Sequence, residues 1–311
     1  MKILLLGANG QLGRSFIEDG GLAMRGELVT ASRDGQRFDG AAIETADLAV
    51  PGSLPALLDQ LRPDLIVNAA AYTAVDRAEQ EESLATRVNG EAVGVLGRWA
   101  AAHGALVAHY STDYVFDGAA SAPYPVDAPT APLGAYGHSK LAGEQALRGS
   151  GAAHFIFRTA WVYAPHGQNF LRTMLRVGVE RDELRVVADQ VGAPTSTALI
   201  VAGTLAALDA WQAADAAQRR ELQGTHHLVA SGHTSWHGFA EAIFTGAAER
   251  GLIARAPRVA AITTADYPTP AKRPAWSVLD NAGFQQRFGY ALPDWQSGLR
   301  DVLDALAHQR A

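Results

Sequence analysis

The chain contains no cysteine. Disulfides, thiolate nucleophiles and thiolate metal sites are therefore excluded. Lysine is almost as scarce: of 26 basic residues only Lys2, Lys140 and Lys272 are lysines, and arginine supplies the rest. No apolar run approaches the ~18 residues of a membrane-spanning helix. The opening Met1-Lys2-Ile3-Leu4-Leu5-Leu6-Gly7 is too short an apolar stretch for a signal peptide. A net charge of −6 argues against a nucleic-acid or membrane-surface partner. No internal repeat or low-complexity tract stands out beyond alanine richness. What remains is ordinary for a soluble, cytoplasmic enzyme: 311 residues, 48% hydrophobic and 19% charged, enough for one large domain or about two.

What is present starts with a glycine turn. Lys2–Leu6 reads as a fully buried strand, followed by Gly7-Ala8-Asn9-Gly10-Gln11-Leu12-Gly13 and a helix to about Asp19. A strand turning on glycines into a helix N-terminus makes a phosphate cradle, because the backbone can approach closely and the first N–H groups point outward. Gly7, Asn9, Gly10, Gln11, Leu12 and Gly13 are thus cofactor candidates. The second strand, Leu28–Ala31, leads into Ser32-Arg33. An NAD-specific fold places an acid there; a hydroxyl and a guanidinium suit the 2′-phosphate of NADP, so NADPH is expected before NADH. Asp47-Leu48 should end the third strand, near an adenine. Ser53–Leu61 reads as a helix with Ser53 as N-cap. Leu65–Asn68 is a short strand running into Ala69-Ala70-Ala71-Tyr72-Thr73. Those small residues either let a flat ring or phosphate pass or simply pack a helix on a sheet. Val75–Ala102 is a long helical pattern interrupted at Asn89.

The chemistry is expected at Tyr136-Gly137-His138-Ser139-Lys140. Residues four apart share one helix face. A tyrosine titrates near ~10, and lowering that by about three units takes roughly 4 kcal/mol. One positive charge at about 4 Å supplies roughly that much at an effective dielectric near ~20. A lysine retained where arginine is the rule suggests that an amine, not a guanidinium, is wanted. Upstream, the strand Ala105–Tyr110 delivers Ser111-Thr112-Asp113 to its C-terminal end, where open parallel sheets bind ligands. The Thr112 hydroxyl either orients a substrate carbonyl or caps a local turn.

Further on, Ser121–Leu133 is proline-rich and irregular. His154–Arg158 is a strand, and Trp161 after it either floors a sugar pocket or is a buried aromatic. Gln168–Glu180 and Thr197–Trp211 read as helices, with a strand at Leu184–Val187 and a polar loop at Asp189–Thr195 between them. His226, His227, His233 and His237 are close in sequence but lack metal-ligand spacing, so no metal is expected. Tyr267–Pro274 is a stiff loop with two cations, Lys272 and Arg273, suited to a substrate pyrophosphate or to closing a domain. Leu279–Phe288 and Asp294–Ala307 read as closing helices.

Together these stretches resemble the extended short-chain dehydrogenases/reductases, and within them the dTDP-4-dehydrorhamnose reductases, over nearly the whole chain. The resemblance rests on Gly7–Gly13, Asn68–Asp76, Ser111–Gly118, Tyr136–Glu144, Arg158–Tyr163, Asp189–Thr195 and Tyr267–Pro270. It implies an α/β fold: a Rossmann-type doubly wound parallel sheet (1–163 plus about 184–230) with a smaller C-terminal substrate-binding lobe (about 164–183 and 231–311). It implies hydride transfer from NADPH, or NADH, to C4 of dTDP-4-dehydro-L-rhamnose. Tyr136 would be the proton donor, Lys140 would hold the nicotinamide ribose and Thr112 would orient the carbonyl. Ser32, Arg33, Asp47, Leu48, Ala69, Ala70, Ala71 and Tyr72 would join the glycine turn around the cofactor. Thr73, Val75, Asp113, Trp161, Asn169 and Arg273 would lie on the substrate side. Some members are dimers bridged by Mg²⁺ through glutamates in two helices. The matching positions here are Ser15 and Ala198, which carry no carboxylate, so a monomer or weak homodimer without that metal is expected. A dehydratase of the same fold would need a second carboxyl after Asp113, where Tyr114 stands. An epimerase, or a non-catalytic NADP-binding subunit, remains a competing reading.

Overall fold

The computed structural model describes residues 1–309. Seven strands form one wholly parallel sheet: β1 Lys2–Leu6, β2 Glu27–Ser32, β3 Glu44–Thr45, β4 Leu65–Asn68, β5 Leu106–Thr112, β6 Ala153–Thr159 and β7 Gly224–His227. Their spatial order is β7-β6-β5-β4-β1-β2-β3. The chain winds one way from β1 through β2 to β3 and the other way from β4 to β7. The reversal falls between β1 and β4, where such sheets open a crevice at their C-terminal ends.

Strand side chains alternate between faces. On one face Leu4, Leu6, Ile66, Val107 and Ile156 pack against Leu54 and Leu58 of the helix Leu54–Leu61, and against Leu96 and Leu147. On the other face Ile3, Leu5, Val67, Phe155 and Phe157 meet Phe16 of the first helix, α1 (Gln11–Asp19), and Ile200 and Leu205 of Thr197–Ala213. That second core continues without a break into Leu184, Phe239, Phe244, Leu299 and Leu303 of the C-terminal half. Both faces are covered, which is why the strands read as continuous apolar runs.

Several boundaries differ from expectation. The strand Glu183–Val187 pairs with Arg258–Ile262 and not with the seven-stranded sheet. Ser53 holds the N-cap position but makes no capping bond: Pro51–Ser53 forms a 3-10 turn and the Ser53 hydroxyl donates back to the Val50 carbonyl at 2.8 Å. The third strand stops at Thr45, and Asp47 instead accepts the Ala49 N–H at 2.9 Å. The pattern from Val75 breaks into Val75–Ala78, Glu82–Thr86, a π turn at Arg87–Glu91 and the helix Ala92–His103. The helix expected from Leu279 begins at Ala282, because Leu279 bridges to Tyr124. The proline-rich stretch is held by that same contact: Tyr124 N–H donates to the Val278 carbonyl, and the Trp276 indole donates to the Ala122 carbonyl.

The glycine turn has a steric explanation at two positions. Gly7 sits at φ +81, and a Cβ there would lie 2.6 Å from the Ala70 nitrogen. A Cβ on Gly13 would lie 2.1 Å from the Gly7 carbonyl oxygen, so Gly13 lets α1 rest on the turn. The expected outcome for Gly13→Ala is an overpacked contact costing about 1–3 kcal/mol. Thermal unfolding should show a lower midpoint, and an unchanged one would mean that the turn yields freely.

Candidate active site

The C-terminal ends of β1, β2, β4, β5 and β6 surround one cleft of about 1010 Å³. It gathers most of the residues anticipated from the sequence. Gly7, Asn9, Gly10, Gln11, Leu12, Ser32, Arg33, Asp47, Leu48 and Ala69 to Tyr72 line it toward one end, and Thr73, Val75, Thr112, Asp113, Tyr136, Lys140, Trp161 and Arg273 line the rest. Two anticipated residues do not reach it. Gly13 packs under the turn, as above. Asn169 is a structural clamp: its Oδ1 accepts the Arg172 N–H and caps helix Phe170–Glu180, and its Nδ2 donates to Gln11 Oε1 at 2.7 Å and to the Ala164 carbonyl at 3.0 Å. Its amide is engaged within the fold, and Gly167 and Gln168 border the cleft in its place.

At the dinucleotide end, Gly10 caps α1 without any side-chain bond, so no side chain competes for the first N–H groups of that helix. Arg33 is exposed and makes no hydrogen bond or ion pair among the described residues. Ser32 is different. Its hydroxyl lies 2.7 Å from Asp34 Oδ1 and 2.9 Å from the Gln36 carbonyl, so its proton is engaged and only Arg33 of the expected pair is free. Asn9 donates to the Gln36 carbonyl at 2.7 Å, tying the glycine turn to that loop. These features fit a dinucleotide whose pyrophosphate lies at the α1 N-terminus.

Tyr136 and Lys140 sit on the helix Ala135–Gly149. That helix is fixed from three sides. Its first free N–H, on Ala135, donates to Glu79 Oε1 at 2.9 Å. Asn89, in the π turn, accepts the Tyr72 N–H at 2.9 Å and donates to the Tyr72 carbonyl and to Ser139 Oγ. Gly143 brings the backbones together, since a Cβ there would lie 2.1 Å from the Asn89 carbonyl oxygen. The expected interruption at Asn89 is therefore a clasp between the alanine loop and the helix of Tyr136 and Lys140. A π turn at such a place is a common functional device.

The electrostatics differ from expectation. Lys140 is 2% exposed and donates to the Tyr110 carbonyl at 2.6 Å. Burial pushes its ammonium down to about 8, with Glu144 opposing. Burial also raises the Tyr136 phenol to about 12, against the hydrogen-bonding influence of the adjacent Thr112 hydroxyl. The anticipated lowering of Tyr136 by Lys140 is thus not what this arrangement gives: the phenol is taken out of water and the ammonium is turned to a backbone carbonyl. A phenol held protonated at neutral pH is a donor, as reduction of a ketone requires. Thr112 donates to Asp113 Oδ1 at 2.9 Å and accepts the Tyr114 N–H at 3.2 Å.

Trp161 resolves toward the pocket. Its backbone is in the left-handed region at φ +47, a strained state that concentrates at functional sites. Its indole stacks on Trp236 at 3.5 Å and borders the cleft. Gly192 makes room, because a Cβ there would lie 2.5 Å from that indole. Arg273 reaches the cleft already paired with Asp76 at 2.7 Å. Lys272 is exposed. Trp236 and Tyr114 were not anticipated; both line the cleft, Tyr114 edge-on to Tyr136 at 5.6 Å. Trp236 is one of five tryptophans in the chain's C-terminal half, and nothing in the sequence set it apart from the others. The four histidines are held apart by separate partners: His226 by the Leu222 carbonyl, His227 by that of Asp280, His237 by that of Val259, with His233 beside Trp276.

A doubly wound sheet with a threonine, a tyrosine and a lysine gathered at its switch point defines an extended short-chain dehydrogenase/reductase. Within that class the chain belongs to the family described as RmlD substrate binding domain, whose model matches residues 1–308. It is 48% identical over 311 residues to the dTDP-4-dehydrorhamnose reductase of Burkholderia thailandensis, spanning 97% of this chain and 99% of that protein. Among solved structures it resembles a dTDP-4-dehydrorhamnose reductase from Clostridium acetobutylicum (TM-score 0.85, 34% identity, 98% and 99% of the two chains). It also resembles one from Bacillus anthracis in complex with NADP (TM-score 0.83, 30% identity, 98% and 99%).

Asp113 generates a pH prediction. It is 2% exposed, and its Oδ2 has no hydrogen-bond partner among the described residues; the nearby Ser277 hydroxyl turns to the Val191 carbonyl at 3.4 Å. Burial raises this carboxyl from 3.8 to about 6. Between those values the folded state binds more protons than the unfolded one, so stability falls as pH rises. Relative to Asp113→Asn, the parent should lose up to about 3 kcal/mol between pH ~4 and ~6.5 in denaturant titrations. A difference that stays constant across that range would show that the carboxyl titrates normally.

Proposed function

We propose that the protein reduces the C4 ketone of dTDP-4-dehydro-L-rhamnose to dTDP-L-rhamnose at the expense of NADPH, the last step of dTDP-rhamnose synthesis. The observation that carries this reading is a protonated Tyr136 beside Thr112 and Lys140 at the switch point. It stands in a chain whose relatives with that printed name align over nearly their full length. Bound cofactor supplies the hydride. This chain's residues do the rest. The first turn of α1, with Gly7 and Gly10, would cradle the pyrophosphate, and Ala69, Ala70 and Ala71 let it lie close to the sheet. Lys140 would hold the nicotinamide ribose. Tyr136 donates its phenolic proton to the C4 oxygen, and the Thr112 hydroxyl fixes the direction of that bond. The stacked Trp161 and Trp236 form an apolar wall for the sugar.

The finer readings follow from the same residues. The free Arg33 favours the 2′-phosphate, and hence NADPH over NADH. The stretches 164–183 and 231–311 would form the nucleotide-sugar lobe, with Arg273 near the diphosphate. Ser15 donates to Thr197 Oγ1 at 2.7 Å, and Ala198 is apolar, so the positions that would offer bridging carboxylates offer none. We therefore read the enzyme as cytoplasmic, independent of a bridging metal, and a monomer or weak homodimer.

The test is NADPH consumption by the purified protein with dTDP-4-dehydro-L-rhamnose generated in situ. Stoichiometric oxidation with dTDP-L-rhamnose formed, unaffected by EDTA, is expected. Tyr136→Phe should lower turnover by at least about 100-fold while NADPH still binds. Binding of NADPH without any oxidation by the parent would favour a non-catalytic subunit or another keto-sugar. Arg33→Ala should weaken NADPH by roughly 1.5–3 kcal/mol, the worth of a hydrogen bond to a charged group, and spare NADH. An unchanged ratio of the two dissociation constants would remove Arg33 from phosphate recognition.

A further inference from the structure

Beside the chemistry lies a buried charge pair to which the reaction assigns no role. Glu144 is one helical turn beyond Lys140 on the same helix face, and it is 0% exposed. Arg158 on β6, 3% exposed, grips its carboxylate with two bonds: Nε to Oε1 at 2.9 Å and Nη2 to Oε2 at 2.8 Å. Arg148 adds a third bond to Oε2 at 3.0 Å. Arg158 is itself fixed, donating to the Val126 carbonyl at 3.0 Å and lying 5.1 Å over the Phe116 ring.

Such a pair ties the catalytic helix to the sheet, but a purely structural tie gains little from buried ions, since well-packed apolar residues do as well. The position next to Lys140 supplies another reason. Lys140 has a carbonyl, not a carboxylate, as its hydrogen-bond acceptor. The groups around it are otherwise neutral. Tyr136, one turn earlier, is a protonated phenol. His109 on β5 is held neutral by burial and by Lys140 itself. Ser139 and Asn89 carry no charge, and Ser111 lies beside Glu144. Asp113, past the end of β5, acts on Tyr136. Glu144 is therefore the anion that acts on Lys140, and Arg158, the cation behind it, determines how much of that charge is felt.

We propose that Glu144 is a positioning residue whose carboxylate, held by Arg158, sets the charge state of Lys140 and so the capacity of the site to hold a nicotinamide ribose. Only the last clause rests on the proposed function. Glu144→Gln removes the anion that acts on Lys140, so the ammonium loses its proton more readily. Arg158→Met leaves Glu144 paired with Arg148 alone and removes the competing cation, so the ammonium holds its proton more tightly. The two substitutions thus act in opposite directions on Lys140, although each breaks the same bond.

The scarcity of lysine makes this directly observable. Protein labelled with ¹³C at lysine Cε should give three signals, from Lys2, Lys140 and Lys272, with Lys140→Met assigning the buried one. In the full-length, cofactor-free protein, Glu144→Gln should move the Lys140 titration down by about one pH unit, and Arg158→Met should move it up. The double variant should fall between them. NADPH titrations near pH 8.5 should follow, with affinity reduced up to about tenfold in Glu144→Gln. If both single variants move the titration the same way, or leave it within about 0.3 unit of the parent, the proposal is overturned. Should Glu144→Gln fail to fold, the upward movement in Arg158→Met decides alone. Opposed shifts with unchanged NADPH affinity would uphold the control of Lys140 by Glu144 and overturn the placing of the ribose on Lys140.

Discussion

Lys140 keeps an ammonium at 2% exposure, and taking such a group out of water costs several kcal/mol unless the surroundings compensate. Much of the architecture near the cleft can be understood as that compensation. The Tyr110 carbonyl accepts from the ammonium because β5 continues through Thr112 and brings its backbone under the catalytic helix. Glu144 lies a turn away, anchored by Arg158 from the next strand. Gly143 allows the helix to descend onto the Asn89 carbonyl, and Asn89 in turn grips the backbone of Tyr72. The alanine loop, the helix of Tyr136 and Lys140 and two central strands are thus one interlocked unit. A shift in any of them would leave a buried charge or a buried amide without its partner.

The same burial that makes Lys140 costly makes Tyr136 useful. A phenol moved up to about 12 by desolvation is a weaker acid than tyrosine in water and keeps its proton until negative charge develops on an oxygen beside it. This is the behaviour needed for a group that acts only as a ketone becomes an alcohol. Asp113 is governed by the same low polarity. Its carboxyl, raised to about 6, is ionised at neutral pH with one oxygen unpartnered, an acceptor held ready for a hydroxyl. The site therefore combines a retained proton and an unsatisfied acceptor, far apart in sequence but lining one cleft.

How much of this the sequence disclosed follows from how local each feature is. The glycine turn, Thr112, Tyr136 and Lys140 were legible because a strand end, a tight turn or a single helical turn places them, and each lies where the pattern puts it. Asn169 was misread because its role is decided by Gln11, far away in the chain. Ser32 looked free until the Asp34 and Gln36 loop folded back on it. The acidity of Tyr136 could not be foreseen from its spacing to Lys140, since helix geometry gives proximity of backbone positions but not the direction an amine takes. Trp236 was hidden for the same reason: its contribution exists only through the stack with Trp161, across the boundary between sheet and lobe.

The unusual basic composition acquires a physical sense in this setting. A guanidinium stays charged in any protein environment and forms two parallel bonds to a carboxylate, so Arg158 can hold Glu144 permanently. An amine holds its proton less tightly when buried, and burial pushes Lys140 down to about 8. The structure uses the first where a charge must never change and the second where it can be adjusted by its neighbours. Arginine at position 140 would be too large for the space under the helix and too basic to be adjusted. Lysine at 158 would lose one of the two bonds that fix Glu144, and the adjustment with it. The arrangement of one tunable cation backed by a fixed one therefore depends on keeping the two residue types in their places.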